Sequence, residues 1–269
     1  MTTALLFPGQ GSHFDGMEEP WRDSETIRQG IALLGEDPFA RLAEGTRWQQ
    51  PALFLCALAA LEDEPGLDPV AAAGHSLGEY AALTAAGALE FEDALRLVAL
   101  RGDAMARASE ARPGGMLALL GADSVDAHEL AARHGLGVAN DNAPGQLVLS
   151  GPLEGIEAAE AEARERRIRA RRLDVSGAFH SELMAPAAEE LAAALADVEI
   201  REPRYPVYSN GTAEPFGDIR AELAANVTRA VRWRETLLAL RARGVERFVT
   251  LGPDKVINGL VKRTLAVAA

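Results

Sequence analysis

Gly74-His75-Ser76-Leu77-Gly78 is the segment of this chain whose residue types and spacing point most directly to chemistry. It fits G-x-S-x-G, with a short apolar strand pattern before it and a helical pattern after it. The two glycines permit a sharp strand-to-helix turn that lifts a serine hydroxyl out of the fold. The helix amino terminus that follows offers free N–H groups and a positive dipole end to a developing oxyanion. A serine nucleophile needs a base, and five histidines are available: His13, His75, His128, His134 and His180. His128 and His134 fall in and just after a polar helix and read as surface residues. His75 adjoins the serine, but neighbours at such a turn point apart, so it supports the turn. His13 follows a glycine turn and can reach a cleft. His180, in Val175-Ser176-Gly177-Ala178-Phe179-His180-Ser181, stands where a small unit rejoins a larger one, and a base facing the serine belongs at that junction.

No acid near His180 is an obvious third member of a triad. Asp174 and Glu182 both stand close in sequence. A backbone carbonyl can orient the imidazole instead and fix the same tautomer. Arg101 is the other informative residue. Helical spacing puts it on the apolar stripe of Leu97, Val98 and Met105. A guanidinium there is costly unless it meets a carboxylate, either from the protein or from a substrate held bidentately.

The elements that must position these groups alternate between short apolar runs and longer helical patterns, the signature of an α/β fold. Strands are expected at residues 4–7, 69–73, 206–209 and 247–251. Helices are expected at 50–62, 79–89, 92–108 and 183–195. Between them the texture changes. Strands at 116–120, 137–140, 147–151 and 168–173, with helices at 124–134 and 153–167, give the order β-α-β-β-α-β of a ferredoxin-like unit. The small unit looks inserted between two halves of a larger one, and such junctions commonly form a cleft.

Composition narrows the function. The chain has 269 residues with 48% hydrophobic and 25% charged, which is the make-up of a folded enzyme-sized protein rather than a disordered or repeat chain. One cysteine, Cys56, lies in an apolar run; no intrachain disulfide can form, and a reducing cytoplasmic setting fits. The amino terminus reads as a buried strand rather than a signal peptide, and no stretch reaches the roughly 20 apolar residues of a membrane span. A net charge of −13 argues against binding nucleic acid over a broad surface. Yet Arg164, Arg166, Arg167, Arg169, Arg171 and Arg172 crowd into nine residues, either a solvated face or a docking patch for an acidic partner.

Six ordered motifs now carry a resemblance: Phe7-Pro8-Gly9-Gln10-Gly11-Ser12, Gly74-His75-Ser76-Leu77-Gly78-Glu79-Tyr80, Leu100-Arg101-Gly102, Asn142-Ala143-Pro144-Gly145-Gln146, Ser176-Gly177-Ala178-Phe179-His180-Ser181 and Gly252-Pro253-Asp254-Lys255-Val256. Over nearly the whole chain the sequence resembles the malonyl-CoA:acyl carrier protein transacylase family, which includes discrete polyketide synthase acyltransferases. The resemblance implies ping-pong acyl transfer. Ser76, activated by His180, would take the acyl group from acyl-CoA and pass it to the phosphopantetheine thiol of a carrier protein. It also implies an oxyanion site from the N–H groups of Leu77 and Gln10, a backbone carbonyl at Asn226 orienting His180, and Arg101 pairing with the malonyl carboxylate beside Gln50. Phe179, His75 and Met105 join Arg101 and Gln50 as substrate-binding residues, and Phe179 resembles malonyl rather than methylmalonyl enzymes. His13 stands where the first motif commonly has a second glutamine.

The expected fold is therefore α/β: a hydrolase-like large domain at 1–112 and 177–269 with a ferredoxin-like small subdomain at 113–176. The expected function is malonyl (or related dicarboxylic acyl) transfer to an acyl carrier protein in fatty acid or polyketide biosynthesis. The chain would act as a cytoplasmic monomer, without metal or permanently bound cofactor, with acyl-CoA as donor. The rivals are an acyl hydrolase that clears carrier proteins, a transferase of larger acyl groups between carriers, and a non-catalytic docking subunit.

Overall fold

The computed structural model describes residues 1–267. In chain order its elements are β1 (Thr3–Phe7), α1 (Glu25–Leu34), α2 (Thr46–Glu62), β2 (Pro69–Gly74), α3 (Gly78–Ala85) and α4 (Phe91–Ala111). Then come β3 (Gly114–Leu120), α5 (Ser124–Arg133), β4 (Gly137–Ala143), β5 (Gln146–Pro152), α6 (Leu153–Glu165) and β6 (Arg169–Arg172). The chain closes with α7 (Ala185–Ala196), β7 (Val207–Tyr208), α8 (Ile219–Ala225), α9 (Trp233–Ala242), β8 (Arg247–Thr250) and α10 (Lys255–Val267).

Two four-stranded sheets result, making a mixed α/β fold. The first has the order β7-β2-β1-β8 and is parallel throughout. Parallel strands need helical crossovers, so both faces of such a sheet are covered and its strands read as unbroken apolar runs. β1 shows this residue by residue. Leu5 and Phe7 pack with α2, α3 and α4 on one face, while Ala4 and Leu6 pack with Trp233, Leu237 and Leu260 on the other. The second sheet, β4-β5-β3-β6, is antiparallel, with α5 and α6 packed on it over a core of its own.

The antiparallel unit is tied to the rest through β4. Val231 exchanges backbone hydrogen bonds with Ala139 and Asp141, and Asp141 takes a two-nitrogen ion pair from Arg234. The parallel sheet does more for the site. All four strands run the same way, so the turns leaving β1, β2 and β7 emerge together at one edge, the usual place for ligands in such sheets. Those turns carry Gln10, Ser76 and Asn210.

The helix after the serine is shorter than its composition suggests. The Ala- and Leu-rich run to Leu89 favours helix, but α3 ends at Ala85. Gly87 turns left-handed at φ 78°, and the Ala88 N–H bonds back to the Leu83 carbonyl, closing the helix in a Schellman-type cap. Further on, β3 begins at Gly114, two residues before the strand expected at 116–120.

Candidate active site

The turn after β2 is as tight as its glycines allow. A Cβ on Gly74 would collide with the backbone of Gly78 and Glu79, and a Cβ on Gly78 would collide with the Phe7 carbonyl. Ser76 between them is left-handed at φ 52°, an unfavourable conformation for a side-chain-bearing residue that its surroundings must hold. Its N–H donates to Asn210 Oδ1 at 2.6 Å, and Asn210 Nδ2 donates to the Gly74 carbonyl at 2.6 Å. Asn210 thus ties Ser76 to the start of the turn.

His180 faces the serine. Its Nε2 lies 2.8 Å from Ser76 Oγ. Its Nδ1 lies 3.0 Å from the Asn226 carbonyl and 2.9 Å from that of Arg229, so Nδ1 carries the proton and Nε2 is the acceptor. Neither Asp174 nor Glu182 bonds to the ring. Burial pushes the imidazole down to about 3, with the Arg101 charge adding to the effect and the two carbonyls opposing it. His180 is therefore neutral at physiological pH, with an unprotonated Nε2 facing Ser76 Oγ. Like Ser76, it is left-handed, at φ 57°.

Arg101 is 4% exposed on α4, on the stripe with Leu97, Val98 and Met105. Its Nη2 donates to Ser76 Oγ at 2.9 Å and its Nη1 to Gln50 Oε1 at 2.5 Å. Among the described residues no carboxylate forms a salt bridge with it. Gln50, wholly buried, passes the chain of bonds on. Its Nε2 donates to Thr46 Oγ1 at 2.7 Å, whose hydroxyl donates to Gln10 Oε1 at 2.9 Å. Gln10 Nε2 in turn donates to Gln49 Oε1 at 2.9 Å. With its side chain fixed at both ends, Gln10 presents a backbone N–H that has no internal acceptor among the described residues. The Leu77 N–H has none either.

A cavity of about 230 Å³ opens above the serine, lined by Gln10, His75, Ser76, Met105, Phe179 and His180 among others. Arg101, Gln50, Leu77 and Asn226 sit behind this wall. His75 Nε2 is 2.8 Å from Asn142 Oδ1 of β4 and its ring stands edge-on to Trp233, so it braces the turn while touching the cavity. His13 opens instead into a neighbouring hollow with Asp174 and Gln49. His128 is exposed, and His134 is half-buried against Glu162. Cys56 is buried and its thiol is pushed up by burial. Sequence reasoning missed Asn210, Gln49, Thr46 and the Arg229 carbonyl.

A hydroxyl in contact with a neutral imidazole, next to one free N–H at the start of α3 and another in the turn after β1, is a site for nucleophilic acyl transfer. The chain belongs to the acyl transferase domain family, which matches residues 33–269. It is 40% identical to the malonyl CoA-acyl carrier protein transacylase of Bacillus subtilis (strain 168), over 97% of this chain and 89% of that protein. Among solved structures it is similar to an acyl carrier protein S-malonyltransferase from Vibrio cholerae O1 biovar eltor str. N16961, with TM-score 0.93 and 34% identity, covering 99% of this chain and 94% of that one. It is also similar to a malonyl-transacylase solved in complex with a type II PKS acyl-carrier protein, with TM-score 0.92 and 33% identity, covering 99% and 94%.

Proposed function

We propose that this chain moves a malonyl group from CoA to the phosphopantetheine thiol of an acyl carrier protein, in fatty acid or polyketide synthesis, through an ester on Ser76. The observation that carries the choice of acyl group is Arg101: a buried guanidinium 2.9 Å from the nucleophile with no salt bridge to a carboxylate among the described residues. Such a charge is poorly stabilised until a carboxylate arrives. A malonyl thioester brings one, one carbon from the carbonyl that Ser76 attacks.

In the first half-reaction His180 Nε2 takes the Ser76 proton as Oγ bonds to the thioester carbon. The carbonyl oxygen becomes an oxyanion facing the N–H groups of Gln10 and Leu77. When the tetrahedral species collapses, the carbon–sulfur bond breaks and the CoA sulfur takes the proton from His180, leaving malonyl-Ser76. In the second half His180 takes the proton of the phosphopantetheine thiol. The sulfur attacks the ester, and Ser76 Oγ leaves with that proton. The carbonyls of Asn226 and Arg229 hold the Nδ1 proton throughout, which is the orienting part an acid plays in a conventional triad.

We read the parallel-sheet part, residues 1–112 and 177–269, as a hydrolase-like domain. Residues 113–176 are read as a ferredoxin-like subdomain whose β4 supplies Asn142 to the cleft. The enzyme is read as a cytoplasmic monomer that keeps no cofactor bound between turnovers. Incubation with malonyl-CoA and a holo carrier protein tests the function: malonyl should appear on the carrier's phosphopantetheine. Release of free malonate with none on the carrier would favour the hydrolase reading.

A further inference from the structure

Beneath the nucleophile lies a buried carboxyl that none of these steps uses. Glu79, in the first turn of α3, is 2% exposed. Its Oε1 accepts from the Asn210 N–H at 2.7 Å and from Asn226 Nδ2 at 2.9 Å, and its Oε2 lies 3.3 Å from the same nitrogen. Each partner leads to one member of the Ser76–His180 pair. Asn210 clamps the turn and holds the Ser76 N–H. Asn226 supplies a carbonyl to His180 Nδ1. From the dyad reading above, we infer that Glu79 is the positioning residue for both halves of the dyad, joining the loop after β7 to the loop after α8 under the serine.

The physical need for such a joint is visible in the backbone. Ser76 and His180 are both left-handed, and neither conformation persists unless surrounding structure enforces it. The two loops come from different parts of the chain, and Glu79 binds to both. Burial raises the carboxyl to about 8 against the effect of its donors and of Arg101, so at neutral pH it is largely protonated. Its role is therefore geometric, and an amide of the same shape should serve.

The test compares steady-state malonyl transfer and thermal unfolding in wild type, Glu79→Ala, Glu79→Gln, His180→Ala and the Glu79→Ala/His180→Ala pair. Glu79→Ala should lower kcat about 10²-fold, the cost of a displacement on the order of 1 Å at a reacting group, with the KM for malonyl-CoA unchanged. Glu79→Gln keeps an acceptor at Oε1 and should recover roughly tenfold, one hydrogen bond's worth. In the His180→Ala background Glu79→Ala should cost clearly less than in wild type, because only the Ser76 half is left to position. Should Glu79→Ala not fold, Asn226→Ala, which cuts the link to His180 and keeps the carbonyl, takes its place: kcat should fall with KM unchanged, and nothing further should be lost in the His180→Ala background. An unchanged kcat, no recovery with glutamine, or an equal loss in the His180→Ala background would each overturn the inference. Full transfer by His180→Ala alone would instead overturn the dyad reading beneath it.

Discussion

Arg101 and Ser76 are in direct contact: the guanidinium donates to Ser76 Oγ from a buried helix face, 2.9 Å away. In the proposed reaction a malonyl carboxylate, one carbon from the reacting carbonyl, would meet this cation beside the serine. Arg101→Ala should cost malonyl transfer about 2–5 kcal/mol, or roughly 30-fold to several thousand-fold in kcat/KM. Neutral acyl groups should become relatively better substrates, and competition between malonyl-CoA and acetyl-CoA measures the change. A variant that still prefers malonyl as wild type does would remove Arg101 from that role.

His180→Ala should lower the transfer rate by about 10²–10⁴-fold, the usual worth of a positioned base. Asp174→Asn and Glu182→Gln should leave it within a few-fold, because neither acid touches the ring while two carbonyls do. A loss in either acid variant comparable to that of His180→Ala would point to a conventional triad.

The pH dependence follows from two buried groups of opposite sign. His180 is held down to about 3 in the folded chain, so kcat/KM should show no fall centred near the ordinary imidazole value of 6.5. On unfolding His180 takes a proton below 6.5, so it contributes stability above 6.5 that is lost as the pH falls towards 3. Glu79, raised to about 8, does the reverse. Its contribution is full below the ordinary 4.5 and is lost as the pH rises through 8. The Tm of Glu79→Gln relative to wild type should therefore rise between pH 5 and 8. A flat difference across that window would contradict the raised carboxyl.

Within the arginine-rich segment, Arg166 pairs with Asp126 and Glu162, and Arg172 with Glu160 and Glu157. Arg164, Arg167, Arg169 and Arg171 have no carboxylate partner among the described residues. β6 runs directly into Leu173, Asp174 and Val175 at the cavity wall. The double variant Arg169→Glu/Arg171→Glu should raise the KM for the carrier protein while leaving acylation by malonyl-CoA intact. The effect should fade with salt, since exposed charges are screened over about 10 Å at 0.1 M. An unchanged KM at low salt would return the segment to a solvated face.

Much of the site was legible because its chemistry is written in side-chain types. Ser76 sits between obligate glycines, His180 at a junction between textures, and Arg101 on an apolar stripe. What escaped is of another kind. The Arg229 carbonyl is a backbone group and leaves no mark in sequence. Asn210 follows a strand expected at 206–209, but its partner is the Ser76 N–H, 134 residues earlier, and no local pattern reports a contact that distant. Helices α1, α8, α9 and α10 were not read either: α8 has only seven residues, and α1 carries Gly30, which is buried and leaves room for the Leu55 side chain of α2 to pack against the backbone. Such elements are set by what they pack against.

The most direct measurement is intact-protein mass spectrometry after brief exposure to malonyl-CoA or acetyl-CoA, on wild type and Ser76→Ala. Wild type should gain one malonyl group and far less acetyl, the label should map to Ser76, and Ser76→Ala should gain neither. Malonyl retained on Ser76→Ala, or equal labelling of wild type by the two thioesters, would contradict a malonyl-selective seryl intermediate.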